Sequence, residues 1–372
     1  MSNTIQKLNE RGQSIWCDDL SREMINSGEL QRYFEMGVTG VTSNPTIFMK
    51  ALSGGDAYDE LFNKLASEGK TGMELYEGLV LPDIADAADM LRPVYDRTDG
   101  RDGFVSLEVN PKLAYDMERT LDEARRLFKT LNRPNVLIKV PATDEGIPAI
   151  ETLIGEGINV NVTLIFSLAM YRRVMGAYSS GLKKLDAAGG DLSRVASVAS
   201  FFVSRLDTLV DKLLAEKHPP HADISDLLGA AAVANTRLAY ALFEQTFRDG
   251  GDFAALAAKG ARVQRPLWAS TSTKNPEYPP TKYVDDLVGP DTVNTIPPDT
   301  IAAVLHGGRT EVTIRHDLAG ARAVFAALEK SGIHVDAATD KLSVDGVKAF
   351  SQSFDDLLAN LEAKHERVRA AG

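Results

Sequence analysis

The sequence predicts an α/β protein, a (β/α)8 TIM barrel with extra helices and a C-terminal helical extension. Three observations predict it. Eight short apolar or alternating stretches, most followed by a helical pattern, are spread over roughly 300 residues. The best defined of them, over residues 135–166, read strand–helix–strand, a βαβ unit that requires a parallel sheet. When period-2 alternation is applied to six strands, the polar residues that face inward gather at or near each strand's C-terminal end, where barrel enzymes build their sites. A doubly wound sheet is the runner-up, but no glycine fingerprint follows the first strand.

Taken in order, Ser14-Ile-Trp-Cys-Asp-Asp19 is a strand ending on carboxylates. A helix over 22–36 follows, with apolar Met24, Ile25, Leu30, Tyr33 and Phe34, and Gly37 stops it. Gly40-Val-Thr-Ser-Asn44 is a second strand, closed by Pro45, and residues 57–95 are a helical insertion broken by Gly69 and Gly72. After a polar loop over 96–103, Phe104-Val-Ser-Leu-Glu-Val109 is the third strand and 111–131 a helix. The fourth strand holds Val136-Leu-Ile-Lys-Val140. Ile147, Ile150, Leu153 and Ile154 mark a helix, and the fifth strand (158–166) alternates Asn159, Asn161 and Thr163 with Val160, Val162 and Leu164. A helix over 167–187 leads to the sixth strand (194–202). Helices over 203–217 and 226–248, broken by His218-Pro-Pro-His221, precede strands at 265–270 and 293–296. The barrel is assigned to residues 1–312 and the extension to 313–372. In the extension Leu318, Ala321, Phe325 and Leu328 form one apolar stripe, and Val347, Phe350, Phe354, Leu357 and Leu361 another. The second stripe is either laid on the barrel or the seam of a dimer.

The 372 residues are 44% apolar and 25% charged, as in a soluble globular protein. A net charge of −11 argues against nucleic acid or an anionic membrane as the main partner. One cysteine, Cys17, excludes an internal disulfide. With neither a signal-peptide core at the N-terminus nor an apolar run of about 18 residues, a cytoplasmic monomer or homodimer is expected. The histidines lie outside the inward-facing set; His218 and His221 read as a solvated turn, and no metal or cofactor is expected. Gly69-Lys-Thr71 is not a phosphate loop, because Lys64 stands where that loop needs glycine.

Both faces of a parallel sheet are normally buried, so a lysine in Val136-Leu-Ile-Lys-Val140 needs a reason. A lysine of ordinary pKa, about 10.4, is neutral in roughly one molecule in 2,500 at pH 7, and desolvation favours the neutral amine. Lys139 is therefore a candidate nucleophile toward carbonyl carbon; the alternatives are a lysine that snorkels from the strand end or pairs with a carboxylate. The same parity turns Trp16 and Asp18 inward, with Gly40, Thr42 and Asn44, Phe104, Ser106 and Glu108, Asn159, Asn161 and Thr163, and Ala196, Val198, Ser200 and Phe202. Carboxylates beside an amine can move protons. Asn44 and Asn161 can bind hydroxyls, and Arg205, Ser272 and Lys274, just beyond strands six and seven, can receive a phosphate. A phosphorylated sugar fits that inventory.

These stretches carry a family resemblance. Val41-Thr-Ser-Asn-Pro-Thr-Ile-Phe48, Val136-Leu-Ile-Lys-Val-Pro-Ala-Thr143 and Gly157-Ile-Asn-Val-Asn-Val-Thr-Leu-Ile-Phe166 resemble the signatures of the transaldolases, in the longer form with a C-terminal helical extension. Trp268-Ala-Ser-Thr-Ser-Thr-Lys-Asn-Pro276 and Asp291-Thr-Val-Asn-Thr-Ile-Pro297 extend the resemblance over nearly the whole barrel. It implies a Schiff base on Lys139, proton transfer by Asp18, and a water held by Glu108 and Thr163. It implies donor hydroxyls bound by Asn44 and Asn161, Thr42 supporting Asn44, Ser200 at the dihydroxyacetone end and Arg205 on phosphate. Shorter transaldolases often carry arginine after strand seven; here Ser272 or Lys274 would take its place. Asp19 beside Asp18 leaves a one-residue ambiguity. The related aldolase branch tends to carry tyrosine where this chain has Phe202.

Overall fold

The computed structural model of the chain describes residues 2–219, 224–249 and 251–371, so His221 lies outside the described residues. Eight strands, β1 (Gln13–Cys17), β2 (Gly40–Thr42), β3 (Phe104–Glu108), β4 (Val136–Pro141), β5 (Val160–Ile165), β6 (Ser197–Phe202), β7 (Arg265–Ala269) and β8 (Thr292–Ile296), close into one barrel in sequence order. Every neighbouring pair is parallel, including β8 with β1. Ile15, Val41, Val105, Ile138 and Val160 are fully buried, as expected where helices cover a parallel barrel. Inside, side chains fill the barrel in layers. Trp16 plugs the N-terminal half: its indole sits where a Cβ on Gly40 would come within 2.5 Å, it packs 6.3 Å from the Phe104 ring, and its Nε1 donates to Asp102. Gly40 is glycine because the indole occupies that space.

Several boundaries differ from the local pattern. The helix expected over 22–36 is two, Arg22–Asn26 and Glu29–Glu35, because Gly28 adopts φ +73° between them. β2 ends at Thr42, and Asn44 caps a helix, Pro45–Ser53, through a bond from the Ile47 amide; Pro45 opens that helix as well as closing the strand. The helix expected from 111 starts at Met117 behind a 3-10 turn, and β6 starts at Ser197 because Leu192–Arg194 forms another. The helix expected over 226–248 is Ala231–Phe247. An unexpected N-terminal helix, Thr4–Glu10, is held by a capping box of Asn3 and Gln6.

The alternation also fails at one position of β5. A bulge between Val162 and Ile165 puts Leu164 at φ +60° and takes it out of the outward set, against Gly346. Bulges re-aim side chains beside active sites. Gly346 belongs to the helix Val335–Ala371, which packs on the barrel at the C-terminal ends of its strands. Its stripe of Val347, Phe350, Phe354, Leu357 and Leu361 is 1–6% exposed. Phe354 meets Tyr76 edge-on at 5.3 Å, Thr46 Oγ1 bonds Ser353 Oγ at 2.9 Å, and Lys112 pairs with Asp355. The stripe is covered by its own barrel, so it is not a dimer seam. No helix among the described residues is long and apolar enough to cross a membrane.

Candidate active site

Parallel pairing sets Glu108 beside Lys139 and Lys139 beside Asn161. The Lys139 side chain is 6% exposed; its Nζ donates to the Ser43 carbonyl at 2.9 Å and lies 3.6 Å from Glu108 Oε2. Neither Glu108 oxygen accepts a hydrogen bond from the described residues. Burial pushes this carboxyl up to about 7, with the Lys139 charge opposing. Tyr76 and Phe354 line the small hollow on its other side.

Across the barrel, Asp18 follows β1 and accepts from Thr42 Oγ1 at 2.6 Å. The Thr42 hydroxyl also bonds that of Thr295 at 2.6 Å. The expected support of Asn44 by Thr42 is not there, because both neighbours of that hydroxyl are other groups. Burial raises Asp18; the Thr42 bond and the charges of Lys139, Lys274 and Arg205 oppose it. Asp19 accepts the Leu20 amide and does not line the cavity, so of the two carboxylates Asp18 is the one in the site.

The cavity, about 270 Å³, is lined by Asp18, Thr42, Asn44, Lys139, Thr163, Ser200, Phe202, Arg205, Ser272 and Lys274 among others. Glu108 and Asn161 are not in its lining. Asn161 is fully buried, donating to Ser106 Oγ at 3.0 Å and accepting from Ser200 Oγ at 2.7 Å. Direct binding of a donor hydroxyl by Asn161, as the resemblance implies, finds no open path here; Asn161 orients Ser200 instead. Asn44 Oδ1 is committed to its helix cap, which leaves its amide nitrogen for the cavity. Thr163 Oγ1 is buried without a hydrogen-bond partner among the described residues.

The cations lie toward the mouth. Arg205, at the start of the helix Ser204–Lys217, makes no hydrogen bond or ion pair with described residues. Its guanidinium carbon is 5.3 Å from the Phe202 ring centre and 5.9 Å from that of Phe350. Burial lowers its pKa, opposed by Asp18. Lys274 Nζ donates to Ser272 Oγ at 2.7 Å, so the two alternatives for a second phosphate ligand form one bonded pair. Lys274 is pushed down by burial and then by Arg205. Local patterns miss further lining residues, among them Thr46, Lys50, Thr295 and Phe350. Lys50 sits on the helix that Asn44 caps; Phe350 looks like core in a helical stripe. Neither has a local signature for a site.

Chemically, the cavity joins a buried primary amine, a carboxylate, hydroxyl donors and cations, and a second carboxyl, pushed up to about 7, stands beside the amine outside the lining. The family model described as transaldolase/fructose-6-phosphate aldolase matches residues 15–361. A transaldolase of Thermobifida fusca is 50% identical over 360 residues, covering 96% of this chain and 97% of that protein. Transaldolase 1 of Streptomyces avermitilis is 49% identical, covering 100% of this chain and 98% of that protein. Transaldolase 2 of Streptomyces coelicolor is 47% identical, covering 99% of each. With the barrel, its buried lysine and these full-length similarities together, the chain belongs to the transaldolase family of enzymes.

Proposed function

We propose that the chain transfers a dihydroxyacetone unit between sugar phosphates through an imine on Lys139. The donors are sedoheptulose 7-phosphate or fructose 6-phosphate, and the acceptors glyceraldehyde 3-phosphate or erythrose 4-phosphate, as in the non-oxidative pentose phosphate pathway of the cytoplasm. The observation that carries this reading is the buried Lys139 amine, 3.6 Å from a carboxyl that titrates at about 7 and open to a cavity shared with Asp18.

Lys139 Nζ adds to the C2 carbonyl of the ketose, and the carbinolamine loses water to give an iminium. Glu108 can accept and return a proton at neutral pH, and Thr163 presents a free hydroxyl; these two serve the water made and consumed in that exchange. Asp18 takes the proton of the C4 hydroxyl as the C3–C4 bond breaks, the electron pair flows into the iminium, and the aldose phosphate leaves. The enamine then adds to the acceptor aldehyde, the new alkoxide recovers a proton from Asp18, and hydrolysis of the imine frees Lys139. Thr42 and Thr295 hold Asp18, Asn44 and Ser200 meet donor hydroxyls, and Arg205 with Ser272 and Lys274 meets phosphate. Phe202 packs against Phe166 at 5.0 Å and brings no hydroxyl to the enamine, which favours transfer over hydrolytic release.

Borohydride reduction in the presence of fructose 6-phosphate tests the covalent step: a mass gain on the peptide bearing Lys139 is expected. Little free dihydroxyacetone should form until erythrose 4-phosphate is added. Binding without any trapped adduct would make the protein a sugar-phosphate binder, and fast release without acceptor would make it a lyase.

A further inference from the structure

Arg205 brings five donors to the cavity, and no described acceptor meets them. A free guanidinium on a flexible stem has two easy alternatives: to swing into solvent, or to turn onto Asp18, the carboxylate whose charge acts on it most. Pairing with Asp18 would occupy both the anion site and the proton acceptor. What holds Arg205 in place is aromatic. Phe202, at the end of β6, and Phe350, from the helix Val335–Ala371, both present a ring to it. Ring faces attract a cation without consuming its in-plane N–H donors, so a guanidinium held this way keeps its full fork for a ligand.

Phe350 is itself held. It is 4% exposed, one turn before Phe354, which packs on Tyr76. The bond from Thr46 to Ser353 fixes the same turn to the cavity wall. One turn earlier, Gly346 lets the helix settle against Leu164, where a Cβ would come within 3.0 Å. A helix distant in sequence from the barrel strands thus delivers one ring to the rim of the site.

We infer that Phe350 is a positioning residue for Arg205, and that through it the C-terminal helix is part of the anion subsite of this enzyme. The inference rests on the reading above in which Arg205 takes the substrate phosphate. Phe350 touches the guanidinium rather than the reacting carbon, so its loss should appear in binding and not in chemistry.

The test uses the full chain with Phe350→Leu, which keeps apolar volume and removes the ring, and Phe350→Tyr, which restores it. Inorganic phosphate as competitive inhibitor is the direct probe. For Phe350→Leu, KM for erythrose 4-phosphate and the inhibition constant of phosphate should both rise about fivefold, with kcat unchanged. KM for unphosphorylated glyceraldehyde should not move, and Phe350→Tyr should recover most of the loss. In an Arg205→Met background Phe350→Leu should add nothing further. Equal losses for phosphorylated and unphosphorylated acceptors, or an undiminished effect without Arg205, would make Phe350 a core residue only and overturn the inference. If Arg205→Met weakens phosphate but Phe350→Leu does not, the inference fails while the phosphate reading stands. If Arg205→Met leaves phosphate inhibition unchanged, the phosphate reading of Arg205 fails and takes this role with it.

Discussion

Glu108 makes the sharpest prediction, because one buried carboxyl should appear both in stability and in rate. Its folded-state pKa is raised from 4.5 to about 7 by burial. The native state therefore holds this proton where the unfolded chain has released it, and stability must fall as pH rises through that window. At about 1.4 kcal/mol per unit, the loss attributable to Glu108 between pH 5 and pH 8 is about 2–3 kcal/mol. Glu108→Gln keeps the shape and removes the titration, while leaving Lys139 its bond to the Ser43 carbonyl. Urea unfolding of both proteins across pH 5 to 8 should show the variant gaining on the wild type by about 2–3 kcal/mol as pH rises. The same substitution removes the proton carrier next to Lys139, so single-turnover imine formation should slow by about 10²–10⁴-fold. Parallel stability curves would refute the placement of a desolvated, titrating carboxyl at this position. Parallel curves with slowed imine formation would leave Glu108 a catalytic role but not this electrostatic one.

Other expectations concern neighbouring residues. Lys139→Ala should abolish turnover and borohydride trapping while the protein remains folded, since Glu108 can stay protonated; circular dichroism and mass spectrometry check both halves. Asp18→Asn keeps an acceptor for the Thr42 hydroxyl, so imine formation should persist while carbon–carbon cleavage slows by about 10²–10⁴-fold in stopped-flow assays. Gly40→Ala would drive a methyl to 2.5 Å from the Trp16 indole and should cost about 1–3 kcal/mol, read as a fall in Tm with a change in tryptophan emission.

Alternation on the strands is local information, and it reaches far in this chain. One lysine in an apolar run, with Asn161 and Thr163 on the next strand, is enough to define a polar face, because side chains on a strand alternate whatever the strand packs against. The extended segment with its helix-period neighbours determines the barrel class in the same way. The limits are equally physical. Thr42 bonds Asp18 and Thr295 rather than Asn44, Asn161 is consumed by Ser106 and Ser200, and Asp18 rather than Asp19 reaches the cavity. Those outcomes depend on which strand tips meet.

Leu164 leaves its face because a bulge, invisible in the alternating pattern of β5, inserts one extra position. Phe350 carries the pattern of an ordinary core residue, and only the docking of a helix that starts at Val335 brings its ring to Arg205. Periodicity, caps and breakers are written within a few neighbouring residues, so the sequence alone determined the parallel barrel and the inward face that bears Lys139. Contacts between distant segments have no such local signature, so closure of the barrel and docking of the last helix decided the partners of each polar group and the identity of the residue that flanks Arg205.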